Sequence, residues 1–109
     1  MVRGTTPDFI LTIDGVNLTD QTVYVTIKQR RLEYTKTGED LTVTVDTSGE
    51  TPSSEVEVLL SQEETLSLKE GDAEIQVRWI GSDGIAEATE TATVDVYKVL
   101  LERVIEYGV

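Results

Sequence analysis

Twenty-one carboxylates, with no histidine and no cysteine, define the reactive groups available to this chain of 109 residues. Without histidine the most frequent general base and transition-metal ligand is gone, and without cysteine there are no thiol nucleophiles, thiolate metal sites or disulfides. Acid pairs occur at Glu63 with Glu64, Glu39 with Asp40, and Glu70 with Asp72. A hydrolase needs two carboxyls that converge in a cleft with separated pKa values. Nothing in the spacing supplies that convergence, because Glu64 is taken up by a helix cap and the other pairs lie in turn-like stretches. The chain is therefore read as non-enzymatic, with no catalytic residue, no cofactor and no metal. Asp14, Asn17, Asp20 and Asp83 are oxygen ligands of the kind calcium takes. Yet Asp14-Gly-Val-Asn-Leu-Thr-Asp20 lacks the ligand density and closing glutamate of a calcium loop, and Asp and Asn at turns bond their own backbone. Trp79 falls on the apolar phase of its strand, so it is expected between sheets rather than as a stacking platform. That weakens a carbohydrate-binding or adhesion reading, for which only four tyrosines would remain.

The elements that must position these residues are short and mostly alternating. Ser61 followed by Glu64 fits a capping box and predicts a helical turn over 61–66, with Gly71 as a stop. From Ala73 the period becomes two: Ala73, Ile75, Val77 and Trp79 share one face, Glu74, Gln76 and Arg78 the other. Six further stretches read as strands: Phe9 to Ile13, Val23 to Lys28, Leu32 to Lys36, Leu41 to Asp46, Val56 to Leu60, and a long one from Ile85 to Tyr97. Ser82-Asp83-Gly84 predicts a hairpin between the last two strands. In the final strand Ala92, Val94 and Val96 share a phase with Ala88 but also with Glu90, so either Glu90 lies at a sheet margin or a bulge shifts the register. Thr47 to Ser54, rich in Ser, Thr, Gly and Pro, reads as an exposed loop. These elements predict an all-β fold, a β-sandwich of about seven strands with one short helical turn, in a single domain over 1–109.

The formal charge is −12. It opposes binding to nucleic acid and to anionic membrane, so neither is expected as a partner. Residues 37–109 hold seventeen acids against four bases, whereas 1–36 are nearly balanced. Solvation of strand faces accounts for this excess, and an acidic recognition surface is the sharper alternative. The opening Met1 to Pro7 carries no apolar core of signal-peptide length, and no run approaches a membrane span. The protein is expected to be made in the cytoplasm.

Two places could serve as interfaces. Arg30, Arg31, Tyr34 and Lys36 form the one basic cluster, on an expected edge strand where charge also discourages chain-to-chain pairing. At the C-terminus Tyr97, Leu100, Leu101, Val104 and Ile105 recur at helical spacing, with Lys98, Glu102, Arg103 and Glu106 between them. This makes 98–107 a candidate C-terminal helix, although its β-branched residues also allow a strand. The stripe either packs on the chain's own sandwich or stays exposed as a docking segment.

Several stretches together resemble a known group. They are Val2-Arg-Gly-Thr-Thr-Pro7 leading into Phe9-Ile-Leu-Thr-Ile13, Val23-Tyr-Val-Thr-Ile-Lys-Gln29, Lys36-Thr-Gly-Glu-Asp-Leu41, Leu60-Ser-Gln-Glu-Glu-Thr-Leu66, and Ala73-Glu-Ile-Gln-Val-Arg-Trp79 with Ser82-Asp-Gly84. In this order they resemble small proteins encoded among tail and baseplate genes of phages and prophages of Gram-positive bacteria. More distantly the layout is similar to the N-terminal module of siphophage upper baseplate proteins. The resemblance implies an immunoglobulin-like (Greek-key) β-sandwich that acts by contact, a virion structural or accessory protein of the tail region, made in the bacterial cytoplasm and open to incorporation in the virion. Its partners would be other tail or baseplate proteins, or itself. No catalytic residue belongs to the pattern. The 47–54 loop and the acidic charge depart from it, and a chain this short lacks the stalk and receptor-binding appendage of larger baseplate proteins. An intracellular acidic decoy, occupying the groove of a host nucleic-acid-binding protein, is the alternative that the charge suggests.

Overall fold

Alternation of buried and exposed side chains runs through nearly every strand of the computed structural model, which describes residues 1–108. Val109, which the single-domain reading includes, lies outside the described residues. The strands are β1 (Asp8–Asp14), β2 (Thr22–Gln29), β3 (Leu32–Thr37), β4 (Leu41–Asp46), β5 (Ser53–Leu59), β6 (Gly71–Ile80), β7 (Ala86–Ala88) and β8 (Ala92–Val96), with one helix, α1 (Gln62–Ser67). They form two antiparallel sheets: a three-stranded one in the order β1-β5-β4, and a five-stranded one in the order β3-β2-β6-β7, with β8 also on β6. The result is an all-β sandwich.

The core lies between the sheets because each central strand turns one apolar phase inward. Val23, Val25 and Ile27 of β2 pair directly with Trp79, Val77 and Ile75 of β6, and all six are buried. They meet Val56 and Val58 of β5 and Ile13 of β1 from the opposite sheet. A β-branched side chain fits a pleated, half-buried surface well, and the inward phases here are mostly Val and Ile. Trp79, at 7% exposure, belongs to this core.

The long strand expected from Ile85 to Tyr97 is divided. Arg78 pairs with Ala88, but Ile75 pairs with Ala92, so Gln76 and Val77 are faced by three residues, Thr89 to Thr91. One extra residue is a bulge, and it resolves the phase conflict: Val94 and Val96 point inward opposite Ala73 and Gly71, while Ala88 lies opposite outward Arg78. Thr89 holds the bulge in place. Its N–H donates to the Val77 carbonyl at 2.9 Å, and its own carbonyl accepts from the Gln76 amide at 2.8 Å. The predicted Ser82-Asp83-Gly84 turn is present, with Gly84 in the left-handed region at φ 81° and its N–H on the Gly81 carbonyl.

Two expectations are corrected. Ser53 and Ser54 are not loop but the start of β5, and Ser54 is fully buried. Its hydroxyl accepts from the Leu18 N–H at 3.1 Å and donates to the Val16 carbonyl at 2.7 Å, which anchors the β1–β2 connection on the core. The segment 98–107 is not a helix: residues 98–108 form neither helix nor strand. It has no N-cap residue to start a helix, and Val99, Val104 and Ile105 lose rotamer freedom in one. A lone helix of this length is marginal without a packed face.

Candidate contact surface

At one end of the sandwich the N-terminal segment, α1, the inward side of β3 and the C-terminal segment come together. The capping box sets this arrangement. Ser61 Oγ accepts from the Glu64 N–H at 3.1 Å and Glu64 Oε1 accepts from the Ser61 N–H at 2.9 Å, as the spacing predicts. Glu64 also receives the Lys36 ammonium, at 2.8 Å on Oε1 and 2.7 Å on Oε2. The Tyr34 hydroxyl bonds Ser67 at the other end of the same helix. Thus α1 covers the inward edge of β3, and one of the sheet edges open to pairing is protected.

This geometry divides the basic cluster. Tyr34 and Lys36 point toward α1 and are half-buried, whereas Arg30 and Arg31 make the exposed two-residue turn between β2 and β3. Arg30 sits in the left-handed region at φ 55°. The four residues therefore do not form one surface, because alternation along β3 places its inward residues on a different side from the turn.

Burial is the largest influence on the Glu64 carboxyl and raises its pKa. The Lys36 hydrogen bond, the Ser61 N–H, the Lys36 charge and the Ser61 hydroxyl outweigh it and hold the group below the usual carboxylate range. A depressed folded-state pKa contributes stability that is present above the unfolded value and lost as pH falls through the folded value. Glu64→Gln keeps a capping side chain but loses the charge on Lys36, so it is expected to cost about 1 kcal/mol at neutral pH, the difference between charged and neutral hydrogen bonds. Urea titrations across pH should show the gap between wild type and E64Q closing as pH drops below the unfolded glutamate range.

Arg3 is a structural residue that no periodicity or motif singles out. It is 9% exposed and donates from Nε to the Leu68 carbonyl and from Nη2 at 2.7 Å to the Leu66 carbonyl, while Nη1 pairs with Glu102. The guanidinium bond and its charge hold the Glu102 carboxyl below its ordinary range. Gln62 adds a second tie. Its amide accepts from the Ile105 N–H at 2.8 Å and donates to the Ile105 carbonyl at 3.0 Å, as a neighbouring strand would. Residues 1–3 run parallel to the end of β8, with the Tyr97 N–H on the Met1 carbonyl at 2.7 Å and the Arg3 N–H on the Tyr97 carbonyl at 3.0 Å.

These ties hold the C-terminal segment through the Glu102 side chain and the Ile105 backbone, and beyond the half-buried Val99 they leave its large apolar side chains in solvent. Leu100 is 92% exposed, and Leu101, Val104, Ile105 and Tyr107 are all exposed too. Of the two readings of the apolar stripe, burial on the chain's own sandwich is the one this geometry does not support. Of the four candidate oxygen ligands in turns, three are occupied locally: Asn17 Oδ1 accepts from Thr19 N–H, Asp83 Oδ1 from Ile85 N–H, and Asp14 Oδ1 from the Ser53 hydroxyl. Among the described residues no group of three or more Asp and Glu could hold a metal ion, and no helix is long and apolar enough to cross a membrane.

No family model matches the chain, and no curated protein matches it.

Proposed function

We propose that this chain is a non-enzymatic structural or accessory protein of the phage or prophage tail or baseplate region, acting through protein–protein contacts. The observation that carries the reading is the C-terminal segment: five large apolar side chains, Leu100, Leu101, Val104, Ile105 and Tyr107, stand exposed on a segment fixed only through its backbone and Glu102. Contiguous exposed apolar residues on a small domain mark a contact surface. The resemblance in strand and cap patterns gives the biological setting. An immunoglobulin-like Greek key fits the strand order. The chain crosses between sheets from β1 to β2, from β3 to β4 and from β5 to β6, leaving three strands facing a hairpin-extended sheet. The parallel bridge of residues 1–3 onto β8 stands where such folds carry a short first strand.

Co-expression with the products of flanking genes tests this. The tagged chain is expected to copurify with structural tail proteins, and deletion of 99–109 should abolish the complex while circular dichroism and the melting transition show the sandwich intact. Absence of any complex with those products would contradict it.

A second reading is favoured by the outer face of the smaller sheet. Asp8 and Asp14 on β1, Glu55 and Glu57 on β5 and Asp46 on β4 share that face with no basic residue among these strands. It is the acidic decoy, which predicts salt-sensitive capture of host nucleic-acid-binding proteins.

A further inference from the structure

The four outer edges of the two sheets are not equally open. That of β3 is covered by α1 through Tyr34 and Lys36, and the end of β8 is covered by Met1 to Arg3. The edges of β1 and β4 have neither protection, and β1 is the one beside a cleft that four consecutive strand residues line. Among the described residues the only strand partner of β1 is β5, and its interior, Phe9 to Ile13, contains no Lys, Pro, Gly or bulge to deter pairing. Ile10, pointing outward, is 57% exposed.

A cleft of about 270 Å³ runs beside this edge. Four consecutive residues, Ile10 to Ile13, line one side, and Ile75, Val77 and the bulge residues Thr89 and Glu90 line the other. Consecutive lining means that backbone groups as well as side chains of both phases face the space, which is what an added strand requires. The bulge keeps the opposite wall open, since it interrupts the outer strand of the larger sheet there.

We propose that this edge receives residues 99–105 of a second copy of the chain as an added strand. The inference rests on the contact reading above and names its partner. The segment is unpaired by any strand, rich in residues that favour strands, and as long as β1. In an extended conformation Val99, Leu101, Arg103 and Ile105 share one phase, three apolar groups and one base. Its charge also fits. The lining of the cleft carries Glu90 and no base and the ends of β1 are Asp8 and Asp14, while residues 98–105 bring Lys98 and Arg103 against Glu102, a net positive charge. Within one molecule the segment is held against α1 by Gln62, so among the described residues no strand lies on the β1 edge and it is open to a neighbour. An edge meeting a tail is a heterologous contact, which builds chains or rings rather than a two-fold dimer.

Analytical ultracentrifugation of the purified full chain and of two surface variants, Ile10→Lys and Leu101→Asp, tests this. Both positions are exposed, so melting curves should show both variants folded. The wild type is expected to associate with rising concentration, and each variant alone to weaken association by about tenfold or more, the loss of one apolar anchor. Mixed in equal amounts, the two variants should recover a one-to-one complex, because I10K still offers a tail and L101D still offers an edge. A wild type that stays monomeric overturns the proposal, and so does a mixture that recovers nothing. Association that ignores I10K also overturns the edge assignment while leaving intact the contact reading, which fails separately through the flanking gene products.

Discussion

Trp79→Ala is expected to cost about 3–5 kcal/mol of folding stability, the largest single-residue effect outside the glycines and prolines. Trp79 lies on the inward phase of β6, directly opposite Val23 of β2, and is 7% exposed. Truncation removes the apolar surface of the indole and leaves a cavity that paired strands on a bonded sheet cannot collapse into. Domains of this size have total stabilities of about 5–15 kcal/mol, so the variant should melt well below the wild type and lose much of its cooperative transition. Urea unfolding followed by circular dichroism measures the loss. Tyr107→Ala, at a fully exposed aromatic, should leave the midpoint unchanged and serves as the control. A tryptophan acting as a sugar-stacking platform would behave in the opposite way, with truncation sparing the fold and removing ligand binding.

Ser54→Ala is the second large effect, and composition alone would not suggest it. The hydroxyl is fully buried and serves both the Leu18 N–H and the Val16 carbonyl. Alanine leaves both without a partner, and each unpaired buried group costs about 1–3 kcal/mol. Leu18 is itself buried, at 3%, so water cannot easily reach its N–H. Ser53→Ala, one residue earlier and facing the other way, is expected to stay within about 0.5 kcal/mol of wild type. Chemical denaturation of the two variants side by side checks the contrast.

How far the sequence can be read follows from which interactions are local. Period-two alternation placed the inward faces of β1, β2, β5 and β6, because one phase of each is apolar and a sheet turns that phase inward. Ser61 and Glu64 are three apart, and the cap they form is a property of one turn. Glu90, on the phase shared by Ala88, Ala92, Val94 and Val96, is a visible phase error that leaves a bulge or a margin as the solutions, and pairing with β6 selects the bulge. Long-range ties left no such trace. Arg3 and Glu102 are 99 positions apart and Gln62 and Ile105 are 43 apart. A lone arginine or glutamine has no periodicity to betray its partner. Tyr34 and Lys36 looked like part of a basic patch because sequence order ignores the alternation that turns them toward α1. The helical spacing of Leu100, Leu101, Val104 and Ile105 misled because spacing fixes a helix only where a cap and a receiving surface exist.

The central claim is that residues 98–108 form a contact segment outside the folded core. Hydrogen–deuterium exchange of the dilute chain, followed amide by amide, tests it most directly. Amides of residues 98–108 should exchange rapidly, apart from Ile105, whose N–H is bound to Gln62. Those of β2 and β6 should exchange only through global unfolding. On association with a partner, residues 99–107 should gain protection. If those residues are already protected to the level of β6 in the dilute monomer, the segment belongs to the core and the account is contradicted.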